Sequence, residues 1–182
     1  MEETRTTPAV VTIAVCGAYI ALIVLANFLS TKYGLVSVGF GLSASAGVFA
    51  AGATLTVRDI VQRTSGRRVI AALIAIGIVV SYAVGDGRIA LASAVAFAIS
   101  EVLDYAVYTP LRSKGWSLAV WASFIVAAPV DTIIFLKIAK FPSDGLGVLG
   151  QLVGKGWATL IVWSLSLLVI RLFRRDEVPA SI

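Results

Sequence analysis

Apolar residues along the chain gather into six long runs, separated by short polar or glycine-containing stretches. The runs cover residues 9–28, 42–61, 69–84, 89–109, 116–138 and 152–173. A helix of about 20 residues spans the ~30 Å hydrocarbon core of a bilayer. The pattern therefore predicts an all-α polytopic membrane protein, with six transmembrane helices in a single transmembrane domain over residues 1–182. The first run, Ala9 to Phe28, exceeds the apolar core of a signal peptide and is read as a first membrane helix.

Polar residues inside these runs say more than the runs themselves. In RIALASAVAFAISEVLDYAVYTPLR, Arg88 to Arg112, Glu101 and Asp104 stand three apart and share a helical face with Phe97, Ser100 and Tyr108. A carboxylate turned to lipid costs at least about 3 kcal/mol, so this face should meet a bundle interior, a cation or water. The second run opens with small residues, SASAGVFAAGAT, which permit close backbone approach. It ends in LTVRDIVQRTSGRR, with Arg58 and Asp59 near its exit. Arg58 either snorkels to the interface or turns inward, where Glu101 or Asp104 would pair with it. Asn27 either bonds a neighbouring helix or caps at the interface.

In the fifth run Pro129 precedes Asp131. Proline frees a helix carbonyl from its usual partner, and a polar neighbour there points to a local opening, making Asp131 the main site candidate. The alternative is a structural ion pair with Lys137 or Lys155. Residues 145–150, GLGVLG, match the dinucleotide-binding GxGxxG in form only, because they follow a membrane helix and no acidic residue lies at the expected distance downstream. A glycine-rich turn suffices for them.

Composition narrows the chemistry. The 182 residues are 59% hydrophobic and 14% charged, against about 25% charged in a soluble domain, and mean hydropathy is +0.96. A net charge of +5 comes from basic residues in the connections, where they orient a membrane protein, so nucleic acid is not an expected partner. With no His and one Cys, Cys16, the chain lacks a His/Cys metal site and an intrachain disulfide. The inventory argues against an enzyme, implies no cofactor, and contains no P-loop, so ATP dependence would need an energising partner. Proton coupling through Glu101 or Asp104 is the other energy source considered.

Across six spans, one side carries Arg5, Arg63, Arg67, Arg68, Arg112, Lys114, Arg171, Arg174 and Arg175, while the other carries Lys32, Arg88 and Lys140. This imbalance predicts that both termini are cytoplasmic. Glu101, Asp104, Arg58 and Asp59 then fall in the cytoplasmic half, and Asp131, Lys137 and Lys155 in the outer half.

The segments LTVRDIVQRTSGRR, RIALASAVAFAISEVLDYAVYTPLR and APVDTIIFLKIAKF, with Lys155 opening the last run, resemble the vitamin uptake transporter family, which includes queuosine precursor transporters. The resemblance implies a six-helix protein of the bacterial-type inner membrane, similar to energy-coupling-factor substrate-binding subunits. Its implied substrate is a 7-deazaguanine base such as the 7-cyano or 7-aminomethyl precursor. Asp131 would accept the adjacent N1–H and 2-amino donors beside Thr132 and Lys155, with Phe135, Trp121 or Trp157 stacking on the ring and Glu101 and Asp104 contributing to the interior. The implied partners are the bilayer, this small molecule, and an energising protein or a second copy of the chain. The alternatives are uptake of another vitamin-like molecule within an ATP-driven complex, and a non-transporting scaffold.

The predicted orientation can be tested with single cysteines in a chain lacking Cys16. Cysteines at Ser65 and Ser113 should be shielded from an impermeant thiol reagent applied outside, and one at Ser143 should react. The opposite labelling pattern would reverse the topology.

Overall fold

A computed structural model describes residues 9–65 and 67–175. Its elements are α1 (Ala9–Tyr33), β1 (Leu35–Gly39), β2 (Leu42–Ser45), α2 (Val48–Ser65), α3 (Arg67–Val84), α4 (Gly87–Leu111), α5 (Trp116–Ala139) and α6 (Gly145–Arg175). Helix α1 packs on α2 and α3; α2 meets α6, α6 meets α5, α5 meets α4, and α4 returns to α3, so the helices form a closed ring. The pairing of α4 with α5 is the most extensive, as expected for helices joined only by residues 112–115.

The outward faces of the ring are apolar, and its interior holds many polar side chains beside its apolar ones. Val79, Val102 and Ile125 are 71%, 69% and 68% exposed, whereas Asn27, Thr54, Ser81, Ser93, Thr132, Gln151 and Thr159 are buried. A water-soluble domain sorts its residues the other way, and hydrocarbon is the solvent that favours this arrangement. Helices Ala9–Tyr33, Trp116–Ala139 and Gly145–Leu168 are long and apolar enough to cross a bilayer. This is a helical membrane protein.

The start of the second run and the start of the last depart most from those expected. The apolar run 42–61 divides into strand β2 and helix α2, and the fold is not wholly helical. Leu35–Gly39 and Leu42–Ser45 form an antiparallel hairpin, closed by Phe40 and Gly41 with φ of 56° and 72°. Positive φ at both central residues is the geometry of a tight hairpin turn, which Gly41 adopts without strain and Phe40 does not. Helix α6 begins seven residues before the expected 152, because the Asp144 carboxylate accepts from the Gly147 N–H at 2.9 Å and caps it. GLGVLG is thus the first turns of a helix rather than a turn between elements. Its Gly150 lies against the carbonyl oxygen of Ser43, leaving no room for a Cβ, so the hairpin rests directly on α6.

The small residues of α2 serve a second close approach. A Cβ on Gly52 would stand 2.6 Å from the Lys155 carbonyl oxygen, and Thr159 Oγ1 donates to the Gly52 carbonyl at 3.2 Å. On the far side of the ring, Tyr19, Ile23, Val61, Ile70, Leu73, Ile74 and Phe97 form the main apolar cluster joining α1 to α4.

Gly52→Val should force α2 off α6 and destabilise the protein by about 1–3 kcal/mol. Gly17→Ala, where a Cβ meets nothing within 4 Å, should leave the melting temperature in detergent unchanged or slightly raised. Equal melting temperatures for Gly52→Val and the parent would show that this approach is not a tight one.

Candidate functional site

Asp131 and Thr132 are carried by α5, which runs as helix through Pro129 without a break, so the opening anticipated at the proline is absent from its backbone. Opposite them on α6, Lys155 Nζ donates to Asp131 Oδ2 and, at 3.0 Å, to Thr132 Oγ1. All three residues are at most 5% exposed. Lys137, the other cation considered as a partner for Asp131, is exposed.

One turn before Lys155, Gln151 presents its amide on the same face of α6 and donates to Ser45 Oγ of the hairpin at 2.8 Å. Across the ring, Asn27 bonds neighbouring helices rather than capping at the interface. Its amide donates to Ser81 Oγ on α3 at 3.0 Å, and its oxygen accepts from Ser93 Oγ on α4 at 2.6 Å. Ser30 Oγ accepts from the Gly47 N–H at 3.2 Å. Between α1, α4, α5, α6 and the hairpin lies a cavity of about 30 Å³ whose walls include Ser30, Ser45, Ser93, Phe97, Asp131, Phe135, Gln151 and Lys155. That volume holds a water or two and not a bicyclic base. A wider vestibule of about 220 Å³ lies between the hairpin and the start of α6, and Gln151 lines both spaces.

The aromatic candidates separate. Phe135 lines the cavity and stacks on Phe141 at 6.0 Å between centroids. Trp121 instead meets Phe124 and Trp163 edge-on at 5.8 and 5.9 Å, and Trp157 is 43% exposed, stacked at 6.4 Å on Phe40 of the hairpin tip. Neither tryptophan lines the cavity. Phe97, Gln151, Ser45 and Ser93 do line it and were not singled out as site residues from sequence. Gln151 carried the clearest signal, as a lone amide in an apolar run four residues before Lys155.

Arg58 and Asp59 form a second buried focus. Arg58 turns inward rather than snorkelling, with Nη2 and Nε donating to Asp59 Oδ1 at 2.9 and 3.2 Å. The side chains of Glu101 and Asp104, the partners expected for Arg58, lie outside the described residues. Arg58 stands six residues beyond Gly52 on α2, roughly 9 Å along the helix axis from the level of Lys155. The charges therefore occupy two tiers. Beside the Arg58–Asp59 pair, Thr56 Oγ1 is buried without a hydrogen-bond partner among the described residues.

Residues 85–173 match a family model described as "putative vitamin uptake transporter". Over this stretch the chain is similar to the vitamin uptake transporters. The stretch contains α4, α5 and most of α6, and with them Asp131, Thr132, Phe135 and Lys155. No curated protein and no solved structure matches the chain.

A double-mutant cycle tests the lower tier. Arg58→Met and Asp59→Asn should each destabilise by about 3–5 kcal/mol, and the double variant should cost at least about 1 kcal/mol less than their sum. Strict additivity would show that the two charges act independently. The same cycle run against Glu101→Gln and Asp104→Asn tests whether those carboxylates share the arginine.

Proposed function

We propose that this protein imports 7-deazaguanine precursors of queuosine across a bacterial-type plasma membrane, with six spans and both termini cytoplasmic. The observation that carries the reading is a buried carboxylate, Asp131, on the wall of a polar cavity enclosed by an apolar ring, within the residues that match a vitamin uptake family. A membrane protein that held this carboxylate only for stability would do as well with apolar residues in place of the ion pair. A carboxylate suits recognition of an amino-lactam base, because its two oxygens accept both adjacent donors.

In this proposal the inner cavity widens to take the base. Base admitted through the vestibule parts Gln151 from Ser45, reaches Asp131, and lies between Phe97 and Phe135. A partner ATPase, a proton or the substrate gradient could each supply the energy. Uptake of labelled 7-cyano-7-deazaguanine, in cells unable to make it and with or without this protein, tests the function directly. No difference between the two would overturn it.

A non-transporting scaffold is the second reading, favoured by the fact that Asp131 is already ion-paired with Lys155. Asp131→Asn separates the two. The substitution keeps size but sets an NH₂ against a ligand N–H, and should weaken binding by about 2–4 kcal/mol, roughly thirty- to several-hundred-fold, in a protein that still folds. Asp131→Glu should be intermediate. An analogue lacking the 2-amino group should lose much less on going from the parent to Asn. A purely structural pair would penalise both ligands alike and would be partly rescued by neutralising Lys155 as well.

A further inference from the structure

We infer that Lys155 and Asp131 work as one recognition element, a row of one donor and two acceptors, in which Lys155 specifies a 6-oxo group on the bound base. The inference rests on the import reading above and concerns the same site.

An ammonium group has three donors. Among the described residues, Lys155 places one on Asp131 Oδ2 and one on Thr132 Oγ1, which leaves a third, and its side chain lines the cavity. Asp131 Oδ2 holds the ammonium, while Oδ1 has no hydrogen bond among the described residues and the side chain lines the same cavity. Read along the pair, the polar atoms are N–H, O and O. The edge of a 2-amino-6-oxo base runs O6, N1–H and 2-NH₂, which is the complement in the same order. Cytosine offers that base the same row of donor, acceptor, acceptor.

The spacing fits as well. An ammonium and a carboxylate in contact stand about 2.7–2.9 Å apart, close to the step between neighbouring polar atoms on a base edge. The ion pair can therefore stay closed while the ligand bonds to both partners, and neither buried charge is left alone. Thr132 fixes the ammonium in place for this. A 6-amino base would turn its NH₂ toward Nζ and an unprotonated N1 toward a carboxylate oxygen, two mismatches at once.

The test is calorimetric binding to purified protein in lipid nanodiscs, with three probes: 7-deazaguanine, 6-thio-7-deazaguanine and 2,6-diamino-7-deazapurine. The thio analogue keeps N1–H and the 2-amino group but replaces O6 by a poor acceptor. It should bind about ten- to a hundredfold more weakly than the oxo base, and the diamino base more than about a hundredfold more weakly. In Lys155→Met the oxo-to-thio ratio should fall below about threefold, with Lys155→Gln, which keeps a neutral donor, intermediate. Equal binding of oxo and thio bases to the parent protein would overturn the inference, as would a ratio unchanged in either variant. If 7-deazaguanine itself does not bind the parent, it is the import reading that fails.

Discussion

The contact around which the candidate site is arranged is the buried ion pair between Lys155 on α6 and Asp131 on α5. Two ions withdrawn from water into a bundle surrounded by hydrocarbon each lose several kcal/mol of solvation, which their mutual attraction recovers only if the geometry is closely held. The neighbourhood of the pair meets that requirement. Thr132 supplies an extra acceptor to the ammonium, and α2 is drawn against the Lys155 backbone at Gly52, where no side chain intervenes. A charge pair of this kind adds little to stability compared with well-packed apolar residues, so stability alone does not account for its place inside the ring.

The glycines of α6 have a related role. Gly150 lets the hairpin backbone lie on the helix, and Gly154 stands where a Cβ would be 2.6 Å from Val48 Cγ1, at the start of α2. Close packing at these points brings Ser45 within reach of Gln151, and Gln151 lines both the vestibule and the inner cavity. The hairpin tip is held by Phe40, which stacks on Trp157 from a backbone conformation that its side chain disfavours.

How much of this the sequence could disclose depended on range. The long apolar runs, and the positions of Asp131 and Lys155 within them, are local patterns of period and polarity, and they were readable. The hairpin was not. Strands of five and four residues are too short to show alternation, and Leu42–Ser45 is continuous in composition with the small residues that open α2. The early start of α6 was concealed because glycines favour turns in general, whereas here the Asp144 side chain caps them into a helix. Which tryptophan faces inward is a matter of helix rotation about the ring. An apolar helix that meets lipid on one side and apolar neighbours on the other has no amphipathic stripe from which to read that rotation. Asn27 bonds residues 54 and 66 positions away, and no spacing rule joins them.

The two ion pairs found among the described residues of the interior differ in their cation. A guanidinium is a rigid planar fork, and Arg58 grips one oxygen of Asp59 with two of its nitrogens, a close grip that favours a fixed arrangement. An ammonium is a compact point charge with three diverging donors. Lys155 takes one carboxylate oxygen of Asp131 and one hydroxyl of Thr132, and among the described residues the second carboxylate oxygen has no hydrogen bond. An arginine at position 155 could lay its fork across both oxygens of Asp131 and occupy the acceptors that a ligand would use. With lysine there, the cation neutralises the carboxylate and still leaves part of it available, which a binding site in an apolar bundle requires and a structural pair does not.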